Sequence, residues 1–120
     1  MPKENVERGG VRAAHPADAA EFSRSYPDPG LAILTVSGEL DIATSGMLRQ
    51  ELNELLDGGT QRVEVDLSGV VFMDSSALST LVGAHERAME QNRDFALVSP
   101  SPACAKVLGI TGLDRIFDLS

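Results

Sequence analysis

Two short stretches of this 120-residue chain carry side chains that could do chemistry: Gly38-Glu39-Leu40-Asp41 and Asp74-Ser75-Ser76-Ala77. Glu39 and Asp41 are carboxylates two residues apart, the raw material of a general acid/base pair. No histidine or cation stands near them in sequence to drive their pKa values apart, so they make a poor catalytic pair. Asp74, Ser75 and Ser76 open an amphipathic segment directly after a strand-like run. The plain role for such residues is capping, because Asp and Ser satisfy the free N–H groups of a helix start. The same position also suits a phosphoserine, since those N–H groups and their partial positive charge tolerate an anion. A phosphate adds about −1.5 to −2 charge at neutral pH. Placed beside Asp74 and close to Asp41, it would leave the fold intact and penalise any interface that buries it.

Other chemistries find little support. The chain has no GxxxxGK[ST], HExxH, CxxC or GxSxG pattern, so the strongly patterned enzyme motifs are missing. His15 and His85 have no Cys, Asp or Glu at metal-ligand spacing, so no metal and no cofactor is expected. His85 falls on an apolar stripe and reads as a packed or edge histidine. Glu64 and Asp66 alternate with Val63 and Val65 and read as the polar face of a strand. The lone Cys104 excludes an internal disulfide, suits a reducing cytoplasm and reads as a small buried hydrophobe. No run approaches the roughly 18 apolar residues of a membrane span, and the first 20 residues lack the apolar core of a secretory signal. The expected location is the cytoplasm.

Charge narrows the partners. Ten Lys and Arg against 18 Asp and Glu leave a net charge of −8, which disfavours nucleic acid as a partner. Residues 31–120 hold six basic and thirteen acidic groups, a net of −7, so the acidity belongs to the folded part. Residues 1–19, with Gly9-Gly10 and no helical or strand period, read as a mobile tail. Residues 20–120 read as one domain of ordinary size.

The elements that must position the two stretches follow from periodicity. Residues 22–26 suggest a first strand, Pro27-Asp28-Pro29-Gly30 a turn, and residues 31–36 a continuous apolar, buried strand. A helix follows the Gly38–Asp41 junction and runs to about Asp57, with Met47/Leu48, Leu52 and Leu55/Leu56 on one stripe and Gly58-Gly59 as its stop. Residues 62–67 alternate as a strand, interrupted at Ser68-Gly69 before the apolar run 70–73. A second helix is expected from Ser75 or Ser76 to Gln91, burying Leu78, Leu81/Val82, His85 and Met89. Residues 95–98 form another strand, and Ser101 with Pro102 marks a helix start. That helix should stop at Gly109, and residues 116–119 form a last strand. After the opening hairpin, strands and helices alternate, which calls for parallel crossovers in an α/β fold. Both chemically pointed stretches then lie on junctions at the carboxyl ends of adjacent strands, where sites usually form.

Gly38-Glu39-Leu40-Asp41, Asp74-Ser75-Ser76-Ala77-Leu78 preceded by Phe72-Met73, Pro102 and Gly112-Leu113 together resemble the STAS domain, specifically the bacterial anti-sigma factor antagonists. The resemblance spans roughly residues 20–119. It implies a mixed β-sheet, with an antiparallel N-terminal hairpin and then parallel strands, flanked by helices. It implies a partner, an anti-sigma factor with a histidine-kinase-like ATPase domain that is itself a serine kinase, and a serine phosphatase to reverse the modification. By the family pattern Ser75 is the phosphorylated serine, with Ser76 the alternative acceptor. Gly38, Glu39, Asp41, Asp74, Ser75 and Ser76 would form the docking surface. Unphosphorylated protein would hold the anti-sigma factor and free a sigma factor. The alternative is a STAS-type docking or sensing module in a stress-related or transport-associated complex, with the serine acting only as a cap.

Overall fold

The computed structural model describes residues 20–119, and the tail expected over residues 1–19 lies outside the described residues. Strand β1 (Ala20–Asp28) turns through Pro29 and Gly30 into β2 (Leu31–Leu40), with Gly30 at φ +81° as the turn requires. Then come α1 (Ser45–Asp57), β3 (Arg62–Met73), α2 (Ser75–Glu90), β4 (Asp94–Val98), α3 (Pro102–Thr111), a 3-10 turn at Leu113–Arg115 and the short β5 (Asp118–Leu119). The described strands form one five-stranded sheet in sequential order, β1 antiparallel to β2 and every later pair parallel. The mixed α/β sheet expected from the sequence is the observed fold.

One face of the sheet carries the core. Ala32, Leu34 and Val36 of β2 and Val63, Val65 and Leu67 of β3 are buried, joined by Phe95 and Leu97 of β4. Leu48, Leu52, Leu55 and Leu56 of α1, Leu78 and Leu81 of α2, and Cys104 and Leu108 of α3 belong to the same cluster. Each fully buried leucine of this kind contributes about 1.5–3 kcal/mol. The alternate residues Ile33, Thr35, Glu64 and Asp66 remain partly exposed, so β2 is half-buried rather than the doubly covered strand its apolar run suggests. Arg24 of β1 reaches Glu51 and Glu54 of α1 at 2.7 and 2.6 Å, fastening the edge strand to the helix. His85 is half-buried and meets Phe117 and Phe95 edge-on at ring-centroid distances of 5.5 and 6.2 Å, a packed edge histidine as expected.

The pairing of β2 with β3 is irregular, and this shapes the site. Thr35 faces Asp66 but Ser37 faces Gly69; Gly38 faces Val70 but Glu39 faces Phe72. At each step β3 carries one residue more than β2, a β-bulge. The burial pattern of β3 records both: Val63, Val65 and Leu67 are two apart, then Val70 and Met73 follow at intervals of three. Strict alternation would have turned Val71 inward. Instead Val71 and Phe72 both face outward, 69% and 48% exposed. Gly69 packs tightly against β2, since a Cβ there would lie 2.8 Å from the Ser37 Cβ.

Several expected boundaries shift. Ser68-Gly69 does not interrupt the strand; it is the first bulge of a continuous β3. Gly38, Glu39 and Leu40 belong to β2, because β3 is long enough to pair with them, and the junction begins at Asp41. Met89 is 62% exposed, and Ala84 and Ala88 take the buried positions of that turn. Gly109 lies inside α3; the stop is Gly112, at φ +78°. Residues 116 and 117 precede β5, with Ile116 exposed and Phe117 in the core.

Candidate functional site

The carboxyl ends of β2 and β3 lie side by side, so the two chemically pointed stretches meet. The Asp74 N–H donates to the Leu40 carbonyl at 3.0 Å. Asp74 is the N-cap of α2, with extended backbone at φ −114°, and its Oδ1 accepts the N–H of Ser76 at 2.9 Å and of Ala77 at 3.3 Å. The same oxygen accepts the Ser76 hydroxyl at 2.5 Å. The Ile42 N–H, from the other junction, also donates to this carboxylate. Burial by itself would raise the Asp74 pKa, but the hydrogen bonds from the Ser76 hydroxyl and the N–H groups of Ala77, Ser76 and Ile42 outweigh it. The carboxyl therefore ionises below its ordinary value of 3.8 and is an anion at neutral pH.

The Asp41 junction is held by its own turn. Asp41 Oδ1 accepts the N–H of Ala43 at 3.0 Å and of Thr44 at 3.1 Å, an Asx-type turn that starts the chain toward α1. Thr44 is fully buried; its hydroxyl donates to the Glu39 carbonyl at 2.8 Å and accepts the Asp41 N–H at 2.9 Å. Thr44 thus bridges the end of β2 to the start of the junction. Sequence reasoning passed over it, although a Thr three residues after an Asp is a local turn signal.

The structure separates the two serines. Ser76 is half-buried and its hydroxyl is committed to Asp74. Ser75 is exposed at the first position of α2, and among the described residues its hydroxyl has no hydrogen-bond partner. Ala77 is fully buried, so its methyl points into the core and leaves the Ser75 surface clear. Glu39 is exposed, Gly38 is partly exposed at φ +94°, and Asp41 and Asp74 are half-buried. Around them Ile42, Val71 and Phe72 form an exposed apolar rim, which the sequence analysis did not pick out as a surface. Glu39 and Asp41 stand at the end of β2, and among the described residues no His or cation is in hydrogen-bonding contact with them. Among the described residues, no three His, Cys, Asp or Glu converge in a geometry that could hold a metal ion. No helix among them is long and apolar enough to cross a membrane.

A family model described as the STAS domain matches residues 25–120. The anti-sigma-F factor antagonist of Mycobacterium tuberculosis is 29% identical over 90 residues, covering 75% of this chain and 73% of that protein. The anti-sigma-B factor antagonist of Bacillus subtilis is 30% identical over 87 residues, covering 72% and 79%. The crystal structure of an anti-sigma factor antagonist from Mycobacterium paratuberculosis superimposes with a TM-score of 0.77 at 29% identity, covering 85% of this chain and 86% of that one.

Proposed function

Because the chain belongs to the STAS domain family, we propose that it acts as an anti-sigma factor antagonist, a binding module rather than an enzyme, switched at Ser75. In this reading an anti-sigma factor docks on the surface of Gly38, Glu39, Asp41, Asp74, Ser75 and Ser76, with Ile42, Val71 and Phe72 as its apolar rim. Docking draws the anti-sigma factor away from its sigma factor, which becomes free for transcription. The anti-sigma factor, a serine kinase with a histidine-kinase-like ATPase domain, ends the interaction by phosphorylating Ser75, and a serine phosphatase restores it.

The observation that carries this reading is the division of labour at the start of α2. Asp74 and Ser76 complete the cap between them, so the Ser75 hydroxyl is not needed for folding and stands open to a kinase. The N–H groups of Ser76 and Ala77 that would welcome a phosphate are already taken by the Asp74 carboxylate. A phosphate on Ser75 therefore projects outward beside an existing anion, adding about −1.5 to −2 charge to a surface a partner must desolvate. The helix stays capped while the interface is spoiled.

Incubation with the cognate anti-sigma kinase and ATP, read by intact mass, tests the assignment. Wild type and Ser76→Ala should each gain one phosphate, and Ser75→Ala should gain none. A phosphate on Ser75→Ala, or none on wild type, overturns it.

A further inference from the structure

Among the described residues Ile42 is the most exposed large apolar side chain, at 81%. It lies in the turn between β2 and α1, outside the buried core cluster. Its backbone is nonetheless tied on both sides. The Ile42 N–H donates to the Asp74 carboxylate, and its carbonyl accepts the Ser45 hydroxyl at 3.4 Å. Around it, Asp41 Oδ1 accepts the N–H groups of Ala43 and Thr44, and the Asp41 carbonyl accepts the Ser45 N–H at 2.8 Å. A fixed turn thus presents an apolar side chain that the fold itself does not bury.

Two properties suit that side chain to a partner. Its β-branch leaves few χ1 rotamers to lose, so ordering it in an interface costs little. Its N–H is bonded to Asp74, the residue before Ser75, so a partner seated over Ser75 reaches it. Val71 and Phe72, exposed at the end of the neighbouring strand, extend the apolar surface into a ring that keeps water out. Asp41 and Asp74 supply carboxylates beside it, and neither residues 37–45 nor residues 68–78 contain a Lys or Arg. The matching partner surface is an apolar pocket bordered by cations.

We propose that Ile42 is the anchor of this surface, entering an apolar pocket on the anti-sigma factor whose fit discriminates among partners. The inference rests on the docking of an anti-sigma factor at Ser75 and adds which side chain carries the affinity. The bordering charges steer the encounter, whereas the seated isoleucine sets how long the complex lasts.

Calorimetric titration of the cognate anti-sigma factor with single variants tests the anchor, with urea midpoints checking that each variant keeps wild-type stability. Ile42→Ala removes three carbons and should weaken binding about 50-fold; Ile42→Val removes one and should weaken it about 4-fold. Ile42→Thr has the shape of valine, but its hydroxyl would enter the pocket unpaired. It should therefore bind at least about 10-fold more weakly than Ile42→Val. Ile110→Ala, which removes an exposed isoleucine from α3, should bind as wild type does. Binding by Ile42→Ala within about 3-fold of wild type overturns the anchor and leaves the docking surface standing. Equal affinities for Ile42→Thr and Ile42→Val overturn the apolar pocket. Failure of wild type itself to bind overturns the docking reading, and the anchor with it.

Discussion

Asp74 and Leu40 are joined by a backbone hydrogen bond of 3.0 Å, from the N–H of one to the carbonyl of the other. With the Ile42 N–H returning to the Asp74 carboxylate, the two junctions close on each other at both backbone and side chain. The start of α2 is therefore fixed against the end of β2 without help from Ser75.

Replacing Asp74 by Ala should cost about 1–2 kcal/mol, the range for losing a helix N-cap, and should also release the turn at Ile42. Urea unfolding gives the cost, and the Ile42 amide shift reports the release. A loss no larger than that of Ser76→Ala would mean that Asp74 is not the anchor.

The Asp74 carboxyl ionises lower in the folded protein than its ordinary 3.8, so the unfolded chain binds its proton first as pH falls. Its stabilising contribution is complete well above that ordinary value and is lost as pH drops through the lowered folded value. Asn also caps helices well, so Asp74→Asn should fold and lack this dependence. The stability difference between wild type and Asp74→Asn should shrink between about pH 7 and about pH 3, read from urea midpoints.

Ser75→Asp should weaken anti-sigma factor binding by about 2–4 kcal/mol, as an uncompensated charge in an interface does. Its urea midpoint should stay close to that of wild type, because the Ser75 hydroxyl makes no hydrogen bond among the described residues. Ser75→Ala should bind like wild type. Calorimetric titration with the anti-sigma factor separates the three, and equal affinities would remove Ser75 from the switch.

Thr44→Val keeps the shape and removes the hydroxyl that serves the Glu39 carbonyl and the Asp41 N–H. Leaving these part-buried polar groups without their partner should cost about 1 kcal/mol or somewhat more. Thr44→Ser should keep most of the stability, and equal losses in the two variants would refute the hydrogen-bond account.

Gly69→Ala should destabilise by about 1–3 kcal/mol, as overpacking does, because the new methyl lands 2.8 Å from the Ser37 Cβ. Ser37→Gly in the same chain should recover part of it. The double-mutant cycle measures the coupling, and simple additivity would place the strain elsewhere.

Much of the framework was legible where the signal is local. Pro29-Gly30 can do little but turn, the α1 stripe of Leu48, Leu52 and Leu55 has a single reading, and Ser101 accepts the Cys104 N–H at 3.2 Å as an N-cap should. What escaped depends on partners. The Ser-Gly in β3 reads equally as a break or a bulge until β2 is laid beside it. Gly109 and Gly112 are both plausible stops, and only the left-handed backbone at 112 decides. Met89 continues the periodicity of Leu78 and His85 but falls at the margin of the stripe, where Ala88 meets the core instead. The different settings of the Ser75 and Ser76 hydroxyls turn on which of them the Asp74 carboxylate captures, a matter of side-chain rotamer rather than spacing. The rim of Val71 and Phe72 was hidden for the same reason as the bulges that expose it.

Those two bulges let the number of residues in β3, as well as their identity, set how much apolar surface stands at this end of the sheet. Val71 is the surplus residue between the pairs Gly38–Val70 and Glu39–Phe72. Exchanging Val71 for another side chain edits one point on the surface. Deleting it removes the bulge, so that Val70, Phe72 and Met73 follow in simple alternation against Gly38, Glu39 and Leu40 and the rim loses one apolar side chain. The surplus residue thus widens the exposed apolar surface beside Ser75 while the pairs on either side of it keep their partners.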